Sequence, residues 1–203
     1  MTTDAKPKKL SVKKQNNLDE LLVDAAGQGQ THDVQTLLTA GANIHALNDR
    51  ALRWAAYHGC TETVQALLAA GANVHANDDA ALYEAVKHDH AETVKALLAV
   101  GANVHADNDL ALCAAANLGH TKTVRVMAKH IFATDSWRGK NRAEIEAYAT
   151  GLYDKIKADN PQPEYLRQAG SVLIDCALTC WEQVRPAPPK LNISRLPAQP
   201  RAL

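Results

Sequence analysis

The chain has 203 residues, with 22 basic against 22 acidic and no net charge. Hydrophobic residues make up 46% and aromatics only 4%, so any core must be built from alanine, leucine and valine. No run approaches the roughly 18 apolar residues of a membrane span, the N-terminus lacks an apolar signal segment, and four unpatterned cysteines (Cys60, Cys113, Cys176, Cys180) point to a reducing cytoplasm rather than a disulfide framework.

The zero balance hides a partition. Residues 1–17 carry five lysines against Asp4, residues 18–130 carry 7 basic against 13 acidic side chains, and residues 131–203 carry 10 against 8. The first segment, with Lys6, Lys8, Lys9, Lys13, Lys14 and Pro7, reads as a disordered basic tail. A sharper alternative is that it docks on the chain's own acidic middle segment, on nucleic acid or on an import receptor. The acidic middle segment repels phosphate backbones. It is expected to bind a protein partner with a basic surface, not nucleic acid.

From Leu21 onward the sequence repeats itself. ALRWAAYHGCTETVQALLAAGANVHANDD at 51–79 returns as ALYEAVKHDHAETVKALLAVGANVHADND at 81–109. A looser copy occupies 21–49, and a fourth begins at Ala111 and loses register near Ile131. Gly41, Gly71 and Gly101 set a period of 30 residues, the mark of a solenoid. Within a unit, Leu52, Ala55 and Ala56 form the i, i+3, i+4 stripe of a short helix that Gly59 ends. Thr61 is the predicted N-cap of a second helix with the stripe Val64, Leu67 and Leu68, which Gly71 ends. Helices this short are unstable alone and must bury their stripes against neighbouring copies. The first copy, from Leu18, carries Asp19, Glu20, Asp24, Gln28 and Gln30, the polar outer surface of a terminal repeat.

The pattern AL-x-x-AA-x-x-G-x-T-x-x-V-x-x-LL-x-x-GANVHA resembles the ankyrin repeat over Leu21 to His130. It departs from the usual 33-residue unit in lacking the Thr-Pro-Leu-His opening, so its finger should be short. The resemblance implies an all-α helix-turn-helix solenoid of about four repeats and a protein-binding scaffold. It also implies that the two residues before the first helix's closing glycine face the concave surface: Tyr57, His58, Lys87, His88, Asn117 and Leu118. Trp54 and Glu84 lie one turn earlier, and the finger residues Asn48, Asp49, Arg50, Asp78, Asp79, Asn108 and Asp109 are expected at the rim. Tryptophan and tyrosine commonly anchor interfaces; alternatively Trp54 and Tyr57 only shield the small-residue core.

All nine histidines fall between His32 and His130, and His45, His75 and His105 recur one period apart. Spaced at about 10 Å by helix packing, they are too far apart to share one metal. They are expected to be neutral imidazoles bonded to the backbone. No metal or other cofactor is expected.

Beyond His130, IFATDSWRGKN reads as a polar linker. Arg142 to Ala158 is an amphipathic helix with Ile145, Tyr148, Ala149, Leu152 and Ile156 on one face. Pro163 opens a second, Glu164 to Val184, with Leu166, Ala169, Leu173, Cys176/Ala177 and Cys180 on one stripe. The pair forms a C-terminal hairpin over 131–185, either a cap on the solenoid or a separate module. Cys176 and Cys180 are expected to be buried hydrophobes. Residues 186–203 form a Pro-rich extended tail with a weak Pro186-x-x-Pro189 motif.

The expected function is a non-catalytic protein-binding module acting as an inhibitor, adaptor or effector. An enzyme or metal protein with its chemistry in the C-terminal helices is the alternative. Against it, that region holds no histidine after His130, no phosphate loop and no paired carboxylate motif.

Overall fold

The structure is a computed structural model that describes residues 12–134, 140–159 and 163–184. Among these residues all regular structure is helical. Trp137, the Pro-rich tail and most of the basic tail lie outside the described residues. Residues 12–17, expected in the basic tail, are instead the first turns of α1 (Val12–Gly27). Gln15 is the reason the helix has use for those residues. Its side-chain amide donates to Asp19 Oδ1 (2.8 Å) and to Gly41 O (2.9 Å).

Four helix pairs follow one another: α1 with α2 (Thr31–Thr39), α3 (Arg50–Tyr57) with α4 (Thr61–Ala69), α5 (Ala76–Lys87) with α6 (Ala91–Ala99), and α7 (Ala106–Asn117) with α8 (Thr121–Thr134). The first helices stack as one layer, α1 on α3 on α5 on α7, and the second helices as another, α2 on α4 on α6 on α8. The predicted stripes lie between the layers. Leu52, Ala55, Ala56, Val64 and Leu67 are all buried, and Leu68 packs partly buried against them. Gly59 (φ 70°) and Gly71 (φ 100°) end the two helices in left-handed geometry, with Cys60 N–H donating to Ala55 O and Ala72 N–H to Leu67 O.

Thr61 does not cap its helix. It is the first helical residue, Cys60 holds the cap position, and no side chain caps there. The Thr61 hydroxyl is used across repeats instead, 2.8 Å from the Thr93 hydroxyl, as Thr31 is from Thr63. Ala91 interrupts this series, and Thr123 donates to Asp89 Oδ1 (2.7 Å) in its place.

Each finger is a single left-handed turn. Leu47, Asn48 and Asp49 have φ of 53°, 57° and 53°; Asn77–Asp79 and Asp107–Asp109 repeat the turn. This conformation costs an ordinary L-residue roughly 1–2 kcal/mol, and Asn and Asp are the residues that tolerate it. That accounts for the Asn/Asp composition of a finger too short for a hairpin. The turn sends its last carboxylate inward, where it joins two repeats. Asp49 Oδ1 accepts the Asn73 backbone N–H (2.7 Å) and Asp79 Oδ1 that of Asn103 (2.8 Å), while Asp19 accepts that of Asn43 (2.7 Å).

The histidine ladder belongs to the same network, and here the expected backbone bond is corrected. His45 Nδ1 lies 3.1 Å from Asp49 Oδ1, His75 Nδ1 3.1 Å from Asp79 Oδ1, and His105 Nδ1 2.6 Å from Asp109 Oδ1. A carboxylate only accepts, so each imidazole donates from Nδ1. Gln15 takes the histidine's place in the first copy.

The stack ends on α9 (Arg142–Asp159) and α10 (Pro163–Val184), which pack on each other and on α7 and α8. The predicted stripes are the packed faces: Ile145, Ala149, Leu152 and Ile156 on α9, and Ala169, Leu173, Ala177 and both cysteines on α10, are buried. The helices stand where a fifth repeat would. Lys155 Nζ donates to Asp109 Oδ2 (2.6 Å), the carboxylate left without a following finger. The Tyr165 ring lies against Gly119, and the Thr121 hydroxyl donates to Gln168 Oε1 (3.0 Å).

Candidate functional site

The inner-helix layer turns one face away from the outer helices, and its residues vary between copies. The register 54/84/114 reads Trp, Glu, Ala; 57/87/117 reads Tyr, Lys, Asn; 58/88/118 reads His, His, Leu. The helix period puts these registers on one side of α3, α5 and α7 while Leu52, Ala55 and Ala56 and their counterparts face the core.

The centre of this face is an aromatic shelf. Trp54 can lie across the first repeat because Gly27 has no side chain; a Cβ there would fall inside the indole. Tyr57, one turn on, stacks on Trp54 with centroids 5.3 Å apart and planes 16° apart. His58 meets both rings edge-on, and the His88 ring of the next repeat sits 4.2 Å from that of Tyr57. The Arg50 guanidinium lies 5.6 Å above the Trp54 ring. The backbone that carries the rings is tied to the following repeat. His90 donates from Nε2 to Tyr57 O (3.0 Å), as His120 donates from Nδ1 to Val86 O (3.0 Å).

Three polar atoms in these registers of the inner-helix layer have no hydrogen-bond partner. Glu84 Oε2, His88 Nε2 and Asn117 Oδ1 are each shut off from solvent. Glu84 and His88 face each other at 3.9 Å, beyond hydrogen-bond reach. Most buried polar atoms in folded proteins are paired, so three orphans on one face are unusual.

The expected interface residues therefore divide. Trp54, Tyr57, His58 and His88 form one contiguous surface with Arg50, and Glu84 adjoins it. Lys87 and Leu118 are exposed in the same registers, and Asn117 is half-buried there. Asp78 and Asn108 are exposed at the finger turns. Asp79 (6% exposed) and Asp109 (4%) are not rim residues; their carboxylates hold the fingers together, as does that of Asp49. The recurrence of aspartate at 19, 49, 79 and 109, in phase with the packed stripe, is the signal that would have separated them. Gly27 is the residue whose part the sequence conceals, since its contribution is an absent side chain.

Of the 13 acidic residues of 18–130, Asp49, Asp79 and Asp109 are buried in the finger network, and Asp109 is also paired with Lys155. Burial acts to raise the pKa of Asp109, but the hydrogen bonds from Lys155 and His105 outweigh it and hold the carboxyl below the usual aspartate range.

Between α10 and α8 lies a cleft of about 390 Å³, lined by Arg125, Lys129, Asp175, Cys176 and Cys180 among others. Burial pushes both thiols up, away from the reactive thiolate. Cys180 Sγ donates to Phe132 O (3.0 Å) and so ties α10 to α8. Among the described residues no three His, Cys, Asp or Glu side chains converge as metal ligands would, and no helix is long and apolar enough to cross a membrane.

Residues 21–108 match the family model for ankyrin repeats (3 copies). No curated protein matches the chain. The helix pairs, the 30-residue register and this match agree, and the stretch 21–108 belongs to the ankyrin repeat family, whose members are generally protein–protein interaction modules.

Proposed function

We propose that this chain is a non-catalytic binding module that holds a partner protein on its inner-helix face, as an inhibitor, adaptor or effector in a reducing compartment such as the cytoplasm. The observation that carries the reading is the shelf of Trp54, Tyr57, His58 and His88. It is an open aromatic surface whose rings are already ordered, so binding would cost little further side-chain entropy. The acidic balance of residues 18–130, seven basic against 13 acidic side chains, favours a partner with a basic surface. Glu84, beside the shelf, is the acidic group placed to meet such a partner directly.

The test is photo-crosslinking from the shelf. A photoreactive phenylalanine at His58 in the full chain, expressed in its native host, should trap a defined protein. The same probe at exposed Gln35 on α2 should not. Equal trapping from both positions, or none from His58, would remove the binding site from this face.

A further inference from the structure

We infer that the partner inserts an arginine or lysine side chain against the shelf, where Glu84 and Asn117 accept its hydrogen bonds. This rests on the reading of the inner-helix face as the binding surface and adds the chemistry of the group that it recognises.

Three features of the face point to a cation. The first is the pair of acceptors. Glu84 Oε2 and Asn117 Oδ1 are covered by protein yet receive no hydrogen bond. A buried acceptor left unpaired costs free energy, which is recovered when a side-chain movement brings it within reach of a donor. The second is charge. No described lysine or arginine pairs with Glu84, and its neighbour His88 stands 3.9 Å off and carries charge only when protonated. The Glu84 side chain as a whole is 26% exposed although Oε2 itself is covered, so a rotamer step that turns Oε2 outward opens it to a ligand. The third is the rings. Tyr57 and His88 form a tilted pair beside Glu84, and the face already holds one cation on a ring, Arg50 over Trp54 at 5.6 Å. A cation on an aromatic face gains from the ring quadrupole, and more so when the site is desolvated.

A carboxylate or phosphate ligand would fit poorly. It would bring negative charge to Glu84 and leave both acceptors unpaired. A purely apolar side chain could cover the rings but would seal the Glu84 carboxylate away without a donor, a costly arrangement. A positively charged group satisfies the rings and the acceptors together.

The experiment selects 12-residue peptides from a random library on the full chain, discarding those that still bind W54A/Y57A. The retained peptides should share an Arg or Lys at one position. Replacing it by norleucine should weaken binding at least roughly tenfold, the scale of a lost charge-assisted hydrogen bond. On E84Q the same replacement should cost much less, since the carboxylate it pairs with is gone. A normal melting curve for E84Q shows that the fold is intact. Shelf-dependent peptides that lack a common basic residue, or that bind E84Q as they bind the wild type, overturn the inference and leave the binding face standing. If no peptide depends on Trp54 and Tyr57, the binding face falls, and the inference with it.

Discussion

The fingers and the inner-helix face come from one 30-residue template, yet the copies treat them in opposite ways. In the fingers the same residues recur: Asn at 43, 73 and 103 and His at 45, 75 and 105 close bonds within their own finger, and Asp49 and Asp79 join it to the backbone of the next. On the inner-helix face no residue recurs at 54/84/114 or 57/87/117. A position that must bond the same partners in its own finger and the next has one solution, so every copy carries it. A position that faces outward has no such constraint and is free to be shaped for a partner. The difference separates residues that hold the array together from residues that it presents.

The largest effect is expected where the array is cut. Ending the chain after Thr134 removes α9 and α10 and uncovers Ile131 and Phe132, buried in the full chain. The fragment should aggregate and lose its cooperative melting transition, because a terminal repeat needs a covered apolar side. A monomeric fragment with an unchanged melting temperature would show that the helices are a separate module.

Next comes the finger network. Asp79→Asn takes the charge from a buried group that bonds both Asn103 N–H and His75. It should cost about 2 kcal/mol in chemical denaturation. Asp78→Asn, one residue away, exposed and also left-handed, should stay within about 0.5 kcal/mol. Equal costs at the two sites would erase the distinction between buried and presented finger residues.

Much of this was legible in the sequence, and the failures share a cause. The stripes of Leu52, Val64 and Ile145 are read from a helical period, because burial of an apolar stripe is a local consequence of that period. The stacking of repeats followed from helices too short to stand alone. Bonds between copies leave no such trace. Thr61 looks like an N-cap, because nothing local shows that Thr93 will lie 2.8 Å away. Asp79 and Asp109 look like rim residues, because aspartate in a turn is usually solvated. Lys155 is the extreme case. It stands in for a backbone N–H of a repeat that does not exist, and no spacing rule connects it to Asp109. On the inner-helix face, Trp54 and Tyr57 stood out by residue type, but the orphaned acceptors of Glu84 and Asn117 emerge only once α5 and α7 are side by side.

The smallest effect concerns that terminal pair. Asp109 is held below the usual aspartate range, and the Asp109 carboxylate, by hydrogen bond and charge, raises Lys155 above the usual lysine range. A depressed carboxyl contributes stability that is complete above its unfolded pKa and is lost as pH falls through its folded one. A raised lysine contributes below its unfolded pKa and loses that contribution as pH rises through its folded one. Lys155→Met should therefore lower stability by less than Asp79→Asn, by a near-constant amount across neutral pH. The gap from wild type should close both in acid and in strong alkali. A gap that persists at pH 2 would mean that Lys155 acts through packing, not through its charge.

The most direct test measures affinity and stability together. A shelf-dependent peptide from the library selection is titrated against wild type, W54A/Y57A and D79N, and each chain is also unfolded in denaturant. The shelf variant should lose about 2 kcal/mol or more of binding, roughly thirtyfold, and keep a cooperative unfolding transition. D79N should lose stability and, while folded, bind as the wild type does. Affinity that survives W54A/Y57A, or that falls in step with stability in both variants, would contradict the division between a scaffold held by its fingers and a partner held on its inner helices.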